Sequence, residues 1–148
     1  MATRSVVAIP AGDGWMGRYV HWDGYPEGRL PVLMELVARD GLDQVVQTVV
    51  QGNYGWSHLD PEAGTQMDDM YQDGRFIPVP GYGVAYTLDQ AGGAEMMTDT
   101  DTDPVWIEYV YVLGARSITV LEATGEEPGI GAFTLAKTVR YSDTLQEV

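Results

Sequence analysis

The segment His21-Trp22-Asp23-Gly24-Tyr25-Pro26-Glu27-Gly28 constrains this chain more than any other. It stands between a strand-like run that ends at Val20 and a helical pattern that opens near Arg29. Gly24 admits a positive φ, and Pro26 drives Tyr25 toward an extended conformation, so a strand stops and a helix starts within a few residues. The same turn holds an imidazole, a carboxylate and two large rings with polar handles. Residue types this costly in a turn either carry a site or lock a strand onto a helix. Both uses predict that Trp22 or Tyr25 is substantially buried where the first hairpin meets the first helix.

The flanking patterns extend outward from this turn. Ser5 to Ile9 reads as a strand closed by Pro10, and Trp15 to Trp22 as its hairpin partner across Gly12-Asp13-Gly14. That loop reads as longer than two residues, which leaves the register open. Leu30, Leu33, Met34 and Val37 fall at helical spacing, with Pro31 tolerated in the first turn and Gly41 as a stop or hinge. Leu42, Val45, Val46, Val49 and Val50 then fit a second helix ending at Gly52. Residues 52–80 show no period and read as a long loop folded back on the body. Gly81 to Leu88 alternates large and small residues as a strand does. Val105 to Leu113 is the strongest strand signal, turned by Gly114-Ala115-Arg116 into Ser117 to Glu122. Phe133 to Tyr141 fits an added edge strand. The order ββαα-loop-βββ predicts an α+β fold: an antiparallel sheet of five to six strands with two short helices on one face. Residues 1–123 form the core domain, and 124–148 a C-terminal extension.

The chain has 148 residues, no cysteine and a net charge of −14. Disulfides, thiolate metal sites and cysteine nucleophiles are excluded. Residues 52–104 hold ten acidic residues against Arg75 alone. An anionic field of this kind repels nucleic acid and anionic lipid, and it favours solubility or a basic partner. We therefore expect no direct nucleic-acid binding and a continuous acidic surface over residues 52–80 and 89–104. No apolar run approaches a membrane span, and the N-terminus lacks the pattern of a secretory signal, so a cytoplasmic protein is expected.

Candidate site residues gather near the turn. His21 and Asp23 point to one face if the strand runs through residue 23, and can act as a ligand-contact pair or a base with its orienting carboxylate. His58 and Asp60 repeat that spacing, so the four are weak candidates for a metal site. Such a site would make the protein a metal-assisted hydrolase. Arg4 and Arg18 lie on the two strands of the first hairpin and can bracket an anionic ligand beside Tyr19 or Trp22, or pair with local carboxylates. Residues Thr98 to Asp103 resemble half a calcium loop but lack its central glycine and distal glutamate, so a solvated hairpin loop is expected. Gly81-Tyr82-Gly83 and Gly129-Ile130-Gly131 are not phosphate loops, no serine sits in a nucleophile elbow, and no cofactor is implied. The stripe of Trp106, Tyr109 and Tyr111 reads as core and sheet surface.

Thr3-Arg4-Ser5, then Arg18 to Pro26 with its His21-Trp22-Asp23-Gly24-Tyr25-Pro26 turn, resemble a family of small phage and prophage proteins with a "TRS" start and an "HWDGYP" turn. The likeness continues through Val84-Ala85-Tyr86 and Glu108 to Val112, and covers most of residues 3–122. It implies a phage accessory protein made in the host cytoplasm. With the acidity and the missing catalytic set, it points to stoichiometric binding of a host or defence factor, or of a small ligand, through Arg4, Arg18, His21, Trp22, Asp23 and Tyr25. The alternatives are the hydrolase and an acidic DNA mimic.

Overall fold

The computed structural model describes residues 3–52, 55–62, 76–86, 96–129 and 131–141. Strands β1 (Ser5–Ala11) and β2 (Gly14–Val20) form the first hairpin, with Ala11 opposite Gly14. Its loop is therefore only Gly12 and Asp13, tighter than the sequence suggests. Gly12 takes a φ of +58° at the first loop position, where a two-residue hairpin turn needs glycine. Pro10 stays within β1, because the parallel partner on the other side reaches only Ala8 and no ladder misses its N–H.

Helix α1 (Pro26–Asp40) starts earlier than its apolar period, with Pro26 in its first turn. Gly41 ends it at φ +87°, and α2 (Leu42–Val45) follows. Val46–Val50 then continue as one π-helical turn, closed by Gln51 N–H donating to the Val46 carbonyl at 3.0 Å. The Val49 and Val50 carbonyls at this helix end are taken by the Trp56 indole N–H at 3.1 Å and by Arg18 Nε at 2.6 Å.

The remaining strands are β3 (Trp56–Leu59), β4 (Phe76–Val79), β5 (Gly83–Tyr86), β6 (Met97–Thr98), β7 (Tyr109–Leu113), β8 (Ser117–Ala123) and β9 (Phe133–Arg140). They build one nine-stranded sheet in the order β4-β5-β3-β2-β1-β7-β8-β9, with β6 beside β2. The α+β class holds, but the expected all-antiparallel sheet of five to six strands does not. The pairs β1–β7 and β2–β3 are parallel; for β2–β3 the two helices carry the chain from the end of β2 back to the start of β3. The supposed loop over 52–80 contributes β3 and β4. The 124–148 segment adds β9 to the edge of the same sheet.

Alternation along β1 and β2 sorts the core into two layers. Val7 and Val20 face the helices and meet Leu30, Leu33, Leu36, Val45, Val49 and Trp56. Val6, Ala8, Trp15 and Tyr19 face the other way and meet Ile107 and Val110. No helix among the described residues is long and apolar enough to cross a membrane.

Candidate functional site

The turn at residues 21–26 sits where the first hairpin meets α1, as the sequence implies. Its backbone is bolted on three sides. His21 and Trp22 N–H groups donate to the Trp56 and Ser57 carbonyls of β3, each at 2.9 Å, which carries the parallel pairing past the end of β2. Gly24 N–H donates to the Thr3 carbonyl at 2.9 Å, and the Tyr111 hydroxyl from β7 donates to the Gly24 carbonyl. Arg29, one turn into α1, reaches back with Nη2 to the Trp22 carbonyl at 2.6 Å. Gly24 is required by space: a Cβ there would lie 2.5 Å from the Thr3 carbonyl oxygen.

These bolts replace the ring burial expected from sequence. Trp22 and Tyr25 remain 40% and 42% exposed. The interior of the turn is filled instead by Gly24, Tyr111 and the Arg29 side chain, which is 1% exposed. Burial lowers the Arg29 pKa to about 10, against the opposing pull of Tyr111, Asp23 and Tyr25, so it remains a cation at neutral pH. Arg29 carries no sequence signal beyond its position in the first turn of a helix.

His21 and Asp23 do not share a face. β2 ends at Val20, and Asp23 takes a φ of +59°, which breaks the alternation the pairing needs. The partner of His21 is Tyr19, whose hydroxyl lies 2.5 Å from Nδ1. Burial, chiefly, and then the Tyr86 phenol push the Tyr19 pKa up to about 12, outweighing the Arg4 guanidinium. Tyr19 thus keeps its proton and donates it. Burial first, and then Arg4, hold the His21 pKa below its ordinary value, so the ring accepts at Nδ1 and carries its proton on Nε2.

Arg4 and Arg18 do not bracket a ligand. Arg18 lies opposite Val7 on the helix side, buried against the Val50 carbonyl. Burial lowers its pKa. Arg4 lies on the other side, its guanidinium 5.6 Å from the centre of the Trp106 ring. Arg4 Nε is shut off from solvent without a hydrogen-bond partner.

Trp106 is the member of this cluster that the sequence reading misplaces. It is 44% exposed and stacks on Tyr19, ring centres 4.7 Å apart and 10° from parallel. Pro104 follows Asp103, whose carboxylate accepts from Val105 N–H at 2.9 Å and whose carbonyl accepts from Ile107 N–H, also at 2.9 Å. An Asp-Pro pair that opens a turn is the signal that takes residues 104–107 out of the strand. The His21 ring meets the Trp22 ring edge to face at 4.6 Å. The structure thus gathers Arg4, Tyr19, His21, Trp22 and Trp106 on the face away from the helices. Tyr25 lies apart, in an adjoining cleft of about 450 Å³ with Thr3, Glu108, Tyr109 and Glu122.

His58 lies in β3 opposite Val84, and Asp60 accepts the Glu62 N–H at 2.9 Å as a turn cap. Among the described residues, no three His, Asp or Glu side chains gather to hold a metal. Asp101 accepts the Thr98 N–H at 3.0 Å, so part of the calcium-like stretch is spent closing a turn. Of the ten acids expected to form a surface over 52–80 and 89–104, five lie in 63–75 and 89–95, outside the described residues. No protein-family model, curated protein or solved structure matches the chain.

Proposed function

We propose that the protein acts by stoichiometric binding, and that its contact face is the cluster of Trp22, Trp106, His21 and Arg4. The observation that carries this reading is the exposure of two tryptophans around a cation and a neutral imidazole. Rings and arginines are the residue types that dominate protein interfaces, and here they are held rigidly by stacking and by the bolted turn. The Nε2–H of His21 and the guanidinium of Arg4 supply directional donors beside apolar rings. The resemblance to phage and prophage proteins gives the partner its class: a host or defence factor, met in the host cytoplasm.

Site-specific photocrosslinking during expression in a bacterial host tests this. A photoreactive residue at position 22 or 106 is expected to give one discrete one-to-one adduct. The same residue at Asp43, exposed on the helix side, is expected to give none. Arg4→Ala is expected to remove the adduct without unfolding the chain. Equal labelling from all three positions, or an adduct indifferent to Arg4→Ala, defeats the reading.

A further inference from the structure

We infer that the free edge of β9 is a second interaction surface, built to receive an extended, acidic segment of a partner protein by strand addition. β9 closes one end of the sheet and has no neighbour on its outer side among the described residues. The opposite edge, β4, has four residues and is blunted by Pro78, whereas β9 has eight and no proline. The ladder shows which groups face outward. Tyr141 N–H donates to the Arg116 carbonyl, so Arg116 and Tyr141 form a hydrogen-bonded pair. In an antiparallel ladder such pairs alternate, so Thr138 and Arg140 turn their N–H and C=O groups away from β8.

Charge selects the occupant. Arg18 and Arg29 are buried, Arg39 is paired with Asp40 at 2.7 Å, and Arg4 lies over Trp106. The remaining cations of the described residues, Arg116, Lys137 and Arg140, are all exposed, and all lie on β9 or the turn that leads into β8. Among the described residues of this acidic chain, the exposed cations that meet neither a carboxylate nor a ring thus gather at the long open edge of β9. A second copy does not fit this pattern, since edge-to-edge pairing sets Lys137 and Arg140 against the same cations.

Side-chain directions give the segment a pattern. The register of β8 and β9 shifts at Ala136, and beyond it Lys137 and Val139 point to the helix side. There they border an apolar groove of about 620 Å³ with Leu30, Pro31 and Met34. An incoming antiparallel strand therefore places an acid opposite Arg140, an apolar residue opposite Val139, and an acid opposite Lys137. Read along the segment, this is Glu-Val-Thr-Glu.

The probe is a short capped peptide carrying Glu-Val-Thr-Glu between threonines, with a control in which lysine replaces both glutamates. The acidic peptide is expected to bind, with amide shift changes confined to β9 and the groove side of α1. Lys137→Glu with Arg140→Glu is expected to weaken it by about tenfold or more, the scale of two exposed ion pairs. Thr138→Pro removes an outward N–H and leaves the β8 ladder intact, and is also expected to weaken it. Should that variant not fold, the charge-reversal pair carries the test. Equal binding of the lysine peptide, or no binding of the acidic one, overturns the inference. So does self-association in sedimentation that Thr138→Pro abolishes, which would seat a second copy on the edge. None of these outcomes depends on the Trp22–Trp106 face.

Discussion

The two faces of the sheet solve the same burial problem with different residues. On the helix side, Leu33, Leu36, Val45, Val49 and Val50 are wholly buried against Val7, Val20 and Tyr111. On the other side, Val6, Ala8, Ile107 and Val110 are covered by Tyr19, Trp15, Met97 and the short turn that carries Trp106. A helix shields aliphatic side chains completely, and the polar groups on that side, Arg18, Arg29, the Trp56 indole N–H and the Tyr111 hydroxyl, end on backbone carbonyls. A short turn shields only partly. It therefore takes rings that are apolar on one side and wet on the other. The side chains that make the second face stable are the ones that make it adhesive.

Mutations can break this comparison. Leu33→Ala is expected to be the costliest, at about 3 kcal/mol in denaturant unfolding, because a fully buried leucine leaves a cavity. Arg29→Met follows at about 2 kcal/mol, since the Trp22 carbonyl loses its donor inside the turn. Trp106→Ala is expected to cost about 1 kcal/mol, because nearly half of its surface is already in water and only the stack on Tyr19 and the contact with the Arg4 guanidinium are lost. Trp22→Ala belongs with it, well below the cost of a buried ring. If Trp106→Ala proved as costly as Leu33→Ala, both faces would be core and the contact face would vanish. Acrylamide quenching sharpens the contrast. Trp22 and Trp106 should quench readily, while Trp15 at 5% and Trp56 at 0% exposure should resist.

Where periodicity was strong, the sequence was enough. The first hairpin, both helices and the β7–β8 hairpin follow from alternation and helical spacing. β3 was illegible because Trp56, Ser57 and Leu59 are all buried, so no polar alternation marks it. β4 was hidden by Pro78, which an edge strand accepts and a central one does not. His21 and Trp22 stand out as candidate residues because their types are costly in a turn, and Arg4 because it is a cation beside the first hairpin. Of their companions, Tyr19 is legible as the i−2 neighbour of His21 on one strand face, whereas Trp106 is not, since it arrives from a turn that Asp103 and Pro104 impose on a strand-rich stretch.

The smallest expected effect concerns His21 and links the turn to pH. Its folded pKa is lowered, by burial first and by Arg4 second. In the window between that lowered value and the ordinary histidine value near 6.5, the unfolded chain binds more protons than the folded one. The contribution is complete above that ordinary value and is lost as pH falls through the folded one. Stability should therefore decline modestly as pH drops from neutral into the mildly acid range. The chain has two histidines, so the measurement is made in a His58→Gln background, where His21 is the only titrating imidazole. Adding His21→Gln should flatten the slope. Tyr19→Phe removes the hydroxyl that donates to Nδ1, so the neutral ring loses its partner and the His21 pKa should move up by NMR titration. An unchanged pKa in Tyr19→Phe would mean that the Tyr19 hydroxyl does not set the tautomer, and that the donor presented at the contact face is fixed by something else.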